Sequence, residues 1–160
     1  MDSVHPTGAA QGQTPDSEIK IIPRWLIFRP KHGFRSPVVT TFVLENLDPF
    51  PVAYAIKGRD RHFPIVKQVH GMIAAKSQFT MEFLVPARND WPQDCAEMTN
   101  KRFKLAVLSL AVSQPLFDSL QENERPSAAR DLFRATPPTV RLYTKLSYVL
   151  IRPDDVEPAL

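Results

Sequence analysis

The sequence predicts an all-β protein, an immunoglobulin-like antiparallel β-sandwich of seven strands with one short helix. Three observations lead to this prediction. Apolar and polar residues alternate in several short segments, which is typical of half-buried strands. Proline is abundant, with 16 residues among 160, and proline interrupts long helices. Turn-forming residues separate the segments at short intervals, which favours two packed sheets over a helical bundle. A β-barrel is the alternative architecture.

The clearest strand pattern lies at residues 77–85. Phe79, Met81, Phe83 and Val85 fall on one face of this segment, because successive side chains of a strand point to opposite sides. Other segments rich in β-branched or alternating apolar residues predict further strands at 38–45, 51–57, 103–112 and 139–151. The same alternation predicts a core that contains Leu26, Phe28, Phe42, Leu44, Tyr54, Ile56, Phe83, Val85, Leu105 and Val107.

Three other segments depart from this simple pattern. The opening strand, 18–28, contains Pro23, which cannot donate a ladder hydrogen bond, so this strand should lie at an edge or bend between the sheets. Residues 127–135 contain good helix formers and predict a helix of about two turns. Residues 89–101, which include Trp91, are polar and predict a loop.

Composition predicts one domain between two tails. Residues 1–17 hold almost no large apolar side chain and predict a flexible N-terminal tail, 18–151 form the folded unit, and 152–160 form a short C-terminal tail. The formal net charge is +3, which favours acidic partners but lacks the dense basic stripe of a nucleic-acid binder. A single cysteine, no signal-peptide pattern and no apolar stretch long enough to span a bilayer predict a cytoplasmic protein.

The sequence contains no recognisable catalytic or metal-binding constellation. None of the four histidines has a partner at metal-ligand spacing, which favours solvent-exposed loop histidines. Cys95 lies between Asp94 and Glu97, and these acids oppose thiolate formation. No nucleophile elbow, phosphate-binding loop or dinucleotide motif is present. We therefore predict a protein that is not an enzyme and has no cofactor and no metal.

Basic residues cluster at two predicted strands. They are Lys57, Arg59, Arg61 and Lys67 near one strand, and Lys101, Arg102 and Lys104 at the start of another. If these strands are neighbours, their side chains form a cationic patch that could hold an acidic segment. A solvated charged face is the simpler interpretation, because charge clusters alone are weak signals.

The order of these motifs resembles the major sperm protein (MSP) domain, which nematode sperm cytoskeletal proteins share with VAMP-associated membrane-contact proteins. The resemblance covers residues 18–151. The matching motifs are Pro23–Phe28 in the opening strand, Leu44–Glu45–Asn46, Ala53–Lys57, Gly71–Ile73, the alternating 79–86 segment, the run 104–110, and the short helix followed by the last strand.

The resemblance implies a seven-stranded immunoglobulin-like sandwich and a non-enzymatic protein–protein interaction module. Because the sequence ends shortly after its last strand, it is more similar to the stand-alone nematode type, in which domains dimerise and assemble into filaments. This implies a cytoskeletal or structural component, or an accessory, of nematode-type sperm motility. An adaptor for acidic peptides with two phenylalanines, as in the VAMP-associated branch, is the alternative.

For the adaptor alternative, the resemblance implies a peptide-binding site at Lys57, Arg59, Lys104 and Ala106. Lys57 and Lys104 occupy the two lysine positions of the family groove. Gly58 and Arg59 stand where the family has two threonines, and Ala106 stands where it has a methionine. The loss of two hydroxyls and a thioether wall predicts weak peptide binding, with a Kd of ~10 μM or poorer.

Overall fold

The computed structural model describes residues 12–58 and 65–153, and they form the predicted two-sheet β-sandwich. The four-stranded sheet contains, from edge to edge, β1 (Lys20–Ile22), β3 (Val38–Glu45), β7 (Gln78–Val85) and β5 (Ile65–Val66). The five-stranded sheet contains β2 (Trp25–Phe28), β9 (Leu142–Leu150), β8 (Arg102–Ala111), β4 (Val52–Gly58) and β6 (His70–Ile73). Three short α-helices accompany them: α1 (Cys95–Met98), α2 (Gln114–Ser119) and α3 (Arg125–Ala135).

The main core lies between the two sheets and contains every residue that the alternation predicted. All ten are at most 8% exposed. Phe83 is fully buried on β7, and its ring lies 5.3 Å from Phe28 and 5.1 Å from Tyr148, measured between centroids. Because these partners come from the opposite sheet, this aromatic cluster joins the two layers of the sandwich.

Pro23 divides the opening strand between the two sheets, as its missing donor predicted. β1 pairs with β3 at one edge of the four-stranded sheet, and β2 pairs with β9 at one edge of the five-stranded sheet. The β2–β9 pair is parallel. This division and the two-residue β5 give nine strands among the described residues instead of seven.

A second, smaller core lies on the outer face of the five-stranded sheet, where α3 packs against β4 and β6. Phe133 and Ala129 of α3 are buried there against Ala53 and Ala55 of β4. The predicted helix is confirmed and begins two residues earlier, with Pro126 in its first turn, where a proline costs no hydrogen bond.

Asn46, which belongs to the Leu–x–Asn motif, is a structural residue. It is 2% exposed, and its side-chain amide donates to the carbonyls of Phe50 at 2.9 Å and Ala74 at 3.0 Å. Its Oδ1 accepts from the Asp48 amide at 3.0 Å. These bonds fix the turn that joins β3 to β4.

The described part of the predicted N-terminal tail, residues 12–17, contacts the sandwich. The Gly12 amide donates to the Ala111 carbonyl at 2.8 Å, and the Ala111 amide donates to the Gln13 carbonyl at 2.9 Å. Two further backbone amides of the segment donate to the Asp48 carboxylate, at 3.0 and 3.3 Å. Contacts with the sandwich therefore begin before the predicted start of the domain. The groups that the segment contributes to these four bonds are backbone amides and carbonyls, so composition gives no signal for them.

The predicted polar loop around Trp91 also differs. It forms a 3₁₀ turn and the short helix α1, and Trp91 is 8% exposed. The indole Nε1 donates to the Pro86 carbonyl at 2.7 Å, and the ring lies 5.1 Å from Phe34. One aromatic residue in a polar segment shows no periodicity, so sequence reasoning could not place it in the core.

Candidate functional site

The predicted peptide-binding residues come from two neighbouring strands. Lys57 lies on β4, whereas Lys104 and Ala106 lie on β8, and these strands pair with Lys57 directly opposite Ala106. Arg59 lies outside the described residues. The structure therefore brings three of the four predicted residues together.

Lys57, Lys104 and Ala106 share the outer face of the five-stranded sheet. The preceding inward residue of β4, Ile56, and the alternating residues Leu105 and Val107 of β8 belong to the core between the sheets. Since side chains alternate across a strand, the three residues point to the opposite side, and both lysines are exposed there. The two strands are therefore neighbours, which is the condition for the cationic patch that the sequence suggested.

Lys145 belongs to the same surface, although sequence reasoning did not select it. It lies directly opposite Ala106 on β9 and is exposed. Leu146 and Tyr148 of the same strand are buried in the core. The alternation of β9 in the sequence therefore indicates that Lys145 faces outward. What the sequence could not supply was the register that places Lys145 beside β8. We call the surface of Lys57, Arg102, Lys104, Ala106 and Lys145 the sheet patch.

Aromatic rings adjoin the cations of the sheet patch. The Arg102 guanidinium carbon lies 5.9 Å from the ring centroid of Trp25, and the Lys145 Nζ lies 5.9 Å from that of Tyr143. Tyr143 is 56% exposed. These rings give the patch an apolar component beside its charges, which suits a peptide that carries both acidic and aromatic side chains.

The two sheets differ in charge. The strands of the five-stranded sheet contain no aspartate or glutamate, and their lysines and arginines are Lys57, Arg102, Lys104 and Lys145. The four-stranded sheet carries the acids Glu45 and Glu82 on its strands. The outer face of the five-stranded sheet is therefore a cationic surface without acidic partners on its own strands.

His70 differs from the predicted exposed loop histidine. It lies on β6, is half-buried, and its ring centroid is 6.2 Å from that of Phe133 on α3. Partial burial lowers the pKa of His70 below its ordinary value, and the nearby charges of Arg130, Arg134 and Lys57 lower it further. No sequence motif marks this histidine, because its surroundings come from the packing of α3.

The surface near Cys95 lacks the geometry of a nucleophilic site. An open depression of about 500 Å³ is lined there by Arg88, Asn89, Trp91, Gln93, Asp94 and Cys95. No histidine among the lining residues could act as a base toward the thiol.

Within 12–58 and 65–153, no three His, Cys, Asp or Glu side chains group as potential metal ligands. No helix in these ranges is long and apolar enough to span a membrane.

No protein-family profile matches this chain, and no curated protein sequence matches it. Solved structures do. The chain is similar to WR4, a Caenorhabditis elegans MSP family member, at 14% identity and a TM-score of 0.53, over 85% of this chain and 98% of that one. It is also similar to SSP-19, an MSP-domain protein-like family member of Caenorhabditis elegans, at 16% identity and a TM-score of 0.53, over 81% and 97%.

A chaperone provides a third likeness. The chain matches the YadV chaperone at 17% identity and a TM-score of 0.52, over 89% of this chain and 55% of that one. At these identities the likeness concerns the fold. The fold is the immunoglobulin-like sandwich of MSP domains, which confirms the resemblance inferred from the order of the sequence motifs.

Proposed function

We propose that this protein is a non-enzymatic protein–protein interaction module that binds an acidic segment of a partner on the sheet patch. The observation that carries the proposal is the charge of the five-stranded sheet, whose strands hold four lysine and arginine residues and no acid. The like charges of this surface repel one another, which opposes their clustering in the folded protein. An acidic partner would relieve this repulsion.

The neighbouring side chains define the partner more closely. The small side chain of Ala106 lies between Lys57 and Lys145, and Trp25 and Tyr143 offer aromatic surface beside the cations. An extended peptide with acidic residues and phenylalanines matches this arrangement. The missing threonine hydroxyls and methionine side chain keep the affinity weak, with a Kd of ~10 μM or poorer.

Fluorescence anisotropy tests the proposal with a labelled acidic peptide that carries two phenylalanines. We expect Lys104→Glu combined with Lys145→Glu to weaken binding at least ~10-fold, because two attractive charges become repulsive. Lys20→Glu is the control, because Lys20 is exposed on the other sheet. Equal binding by the wild-type protein and the double variant would show that the sheet patch is a solvated face.

A cytoskeletal or structural role through self-association is the second candidate, and the sheet edges favour it. Three edge strands each carry one large exposed apolar side chain: Ile22 on β1, Ile27 on β2 and Ile65 on β5, at 39%, 41% and 44% exposure. Exposed apolar edges promote pairing between sheets of different molecules. This candidate includes the nematode-type sperm motility role that the MSP resemblance implies, in the cytoplasm.

Sedimentation velocity across a concentration series tests self-association. We expect Ile27→Lys to reduce the weight-average sedimentation coefficient at high concentration, because a charge on an edge strand opposes pairing. Val39→Lys is the control, because Val39 is 60% exposed on β3, an internal strand. A wild-type protein that remains monomeric at every concentration would remove this candidate.

A further inference from the structure

A second cationic site lies where α3 covers β4 and β6, beside the sheet patch. It is a groove of about 200 Å³ with Ala55 and Phe133 among its lining residues. We call it the helix groove and define it by its basic residues Lys57, His70, Arg130, Arg134 and Arg141. Only Lys57 is shared with the sheet patch.

The arginines of the helix groove are held in different ways. Arg130 and Arg134 lie one turn apart on α3, and both are exposed. Arg141 follows α3, and its Nη2 donates to the Phe133 carbonyl at 2.7 Å. Its guanidinium carbon lies 5.3 Å from the centroid of the Phe133 ring. The groove therefore combines one anchored guanidinium with two that are free to adjust to a ligand.

The charges of the helix groove are poorly compensated within the described residues. None of its lining residues is acidic, and the acid that contacts them is Asp131, whose Oδ1 lies 3.8 Å from Arg130 Nε in an exposed pair. Exposed pairs of this kind contribute little attraction. His70 lines the groove together with four cationic side chains. Its pKa is lowered by partial burial and then by the charges of Arg130, Arg134 and Lys57. Such crowding costs folding free energy, which an anion bound among the cations would offset.

A second groove continues the first along α3. It has a volume of about 260 Å³ and shares His70 and Arg130 with the helix groove. It adds Lys67 and the neutral polar residues Gln68 and Ser127. The two grooves together suit an extended peptide. Its strongly anionic group would lie in the helix groove, and the polar backbone on one side of that group would lie in the second groove.

We propose that the helix groove binds the phosphoryl group of a phosphoserine or phosphothreonine in a partner protein. A phosphoryl dianion carries enough charge and enough acceptor oxygens to engage several guanidinium groups at once, whereas a single carboxylate engages one or two. Arginine forks match phosphate oxygens in geometry, and two adjustable arginines one turn apart can close on a tetrahedral anion. The adjoining groove provides the space for the residues that flank the phosphorylated one.

The test uses the full chain and a fluorescein-labelled glycine–serine peptide with one central phosphoserine, at pH 7.5, where the phosphoryl group is mostly dianionic. Comparison peptides carry serine or glutamate at the same position. We expect the phosphopeptide to bind at least ~10-fold more tightly than either, because charge-assisted hydrogen bonds to a dianion are lost in both. Similar affinity for all three peptides would overturn the proposal.

The double substitution Arg130→Gln with Arg134→Gln assigns the site. We expect at least ~10-fold weaker phosphopeptide binding and no fall in melting temperature, because both side chains are exposed and neither supports the core. Arg35→Gln with Arg88→Gln removes the same charge from two exposed arginines outside the groove and should leave binding unchanged. Equal loss in both double variants would mean that net charge, and not the groove, binds the peptide.

Two further measurements separate the alternatives. In an NMR titration, the pKa of the His70 imidazole should rise when the phosphopeptide is bound, because an adjacent anion favours the imidazolium form. A His70 pKa that does not change would place the phosphoryl group elsewhere. Binding to phosphatidylcholine vesicles that contain a phosphoinositide, without binding to the phosphopeptide, would show that the ligand is a lipid headgroup and would overturn the proposal of a phosphorylated protein. The sheet patch is tested with different residues, so failure of one site leaves the other interpretable.

Discussion

At the residue scale, Phe83 shows how far side-chain alternation predicts the core. Its segment alternates from Gln78 to Phe83, so the sequence places it on the buried face without any knowledge of its partners. The structure adds those partners: Phe28, Phe42 and Tyr148 surround the ring at centroid distances of 5.3, 6.1 and 5.1 Å. The contacts depend on two sheets packing face to face, which no single strand pattern specifies.

We expect Phe83→Ala to lower the free energy of unfolding by about 3–5 kcal/mol, because it empties a fully buried site between the two layers. Urea unfolding measures this change. Val39→Ala is the control and should change stability by less than about 0.5 kcal/mol, because Val39 is 60% exposed. A small effect at Phe83 would mean that the surrounding rings collapse into the space.

Gly71 is a residue whose role the sequence did not reveal. A Cβ at this position would lie 2.7 Å from the Tyr54 ring, inside any normal contact distance. Tyr54 is 1% exposed, and its hydroxyl donates to the Gln68 carbonyl at 3.4 Å. The glycine thus allows a buried tyrosine to cross the edge strand.

We expect Gly71→Ala to lower the free energy of unfolding by about 1–3 kcal/mol through overpacking. Tyr54→Leu should also destabilise the protein, but Gly71→Ala in that background should cost much less, because the ring that it meets is gone. A double-mutant cycle by urea unfolding measures the coupling. If the changes in the free energy of unfolding are additive, the added methyl group clashes with a group other than Tyr54.

At the element scale, the strands were predictable and the small irregular elements were not. Period-two alternation located the long strands to within three residues at each end, and the missing donor of Pro23 predicted the switch between sheets. The helix α2 was missed because it is short. Its start is specified locally, by the Ser113 side chain, which accepts a hydrogen bond from the Leu116 amide at 3.3 Å. Segment 12–17 was missed because it is held by hydrogen bonds of its backbone and of the Thr14 and Asp48 side chains, which leave no apolar pattern in the sequence.

The packing of α3 on β6 should make stability depend on pH through His70. The groups that face it are Lys57 on β4, Arg130 and Arg134 on α3, and Arg141 after α3. Partial burial lowers the pKa of His70 in the folded state, and the charges of Arg130, Arg134 and Lys57 lower it further. The unfolded chain therefore takes up this proton more readily, so this contribution to stability is lost as pH falls below the ordinary histidine pKa of about 6.5.

We expect the melting temperature to fall less for His70→Gln than for the wild-type protein between pH 7.5 and 5.0, because the substitution removes the group that protonates. His32→Gln is the control, since His32 is exposed. If both variants follow the wild-type curve, His70 does not contribute to acid sensitivity.

At the scale of the whole molecule, the sandwich separates charge between its faces. The sequence predicted that Lys57 and Lys104 would meet, because each lies on a recognisable strand of the resembled domain. It could not show that the entire five-stranded sheet lacks acids, since this property depends on which strands become neighbours. The register also adds Lys145, which lies opposite Ala106. The clustering of these cations is thus a consequence of topology as much as of composition.

Ala106 is the position of the sheet patch at which we expect a substitution to increase affinity for the peptide. It lies between Lys57 and Lys145, where the resembled domain has a methionine. We expect Ala106→Met to tighten binding of the acidic two-phenylalanine peptide roughly 10-fold, because a thioether side chain restores an apolar wall for a phenylalanine ring, and partial burial of it contributes about 1.4 kcal/mol.

The control for this gain is Thr41→Met, which places the same side chain on an exposed position of the four-stranded sheet. Anisotropy at two salt concentrations separates the two contributions to binding. The gain from methionine should persist at high salt, because apolar contact is not screened, whereas the contribution of the lysines should decrease. A gain that disappears with salt, or an equal gain from Thr41→Met, would mean that the peptide does not lie across Ala106, and the sheet patch would then bind its partner by charge alone.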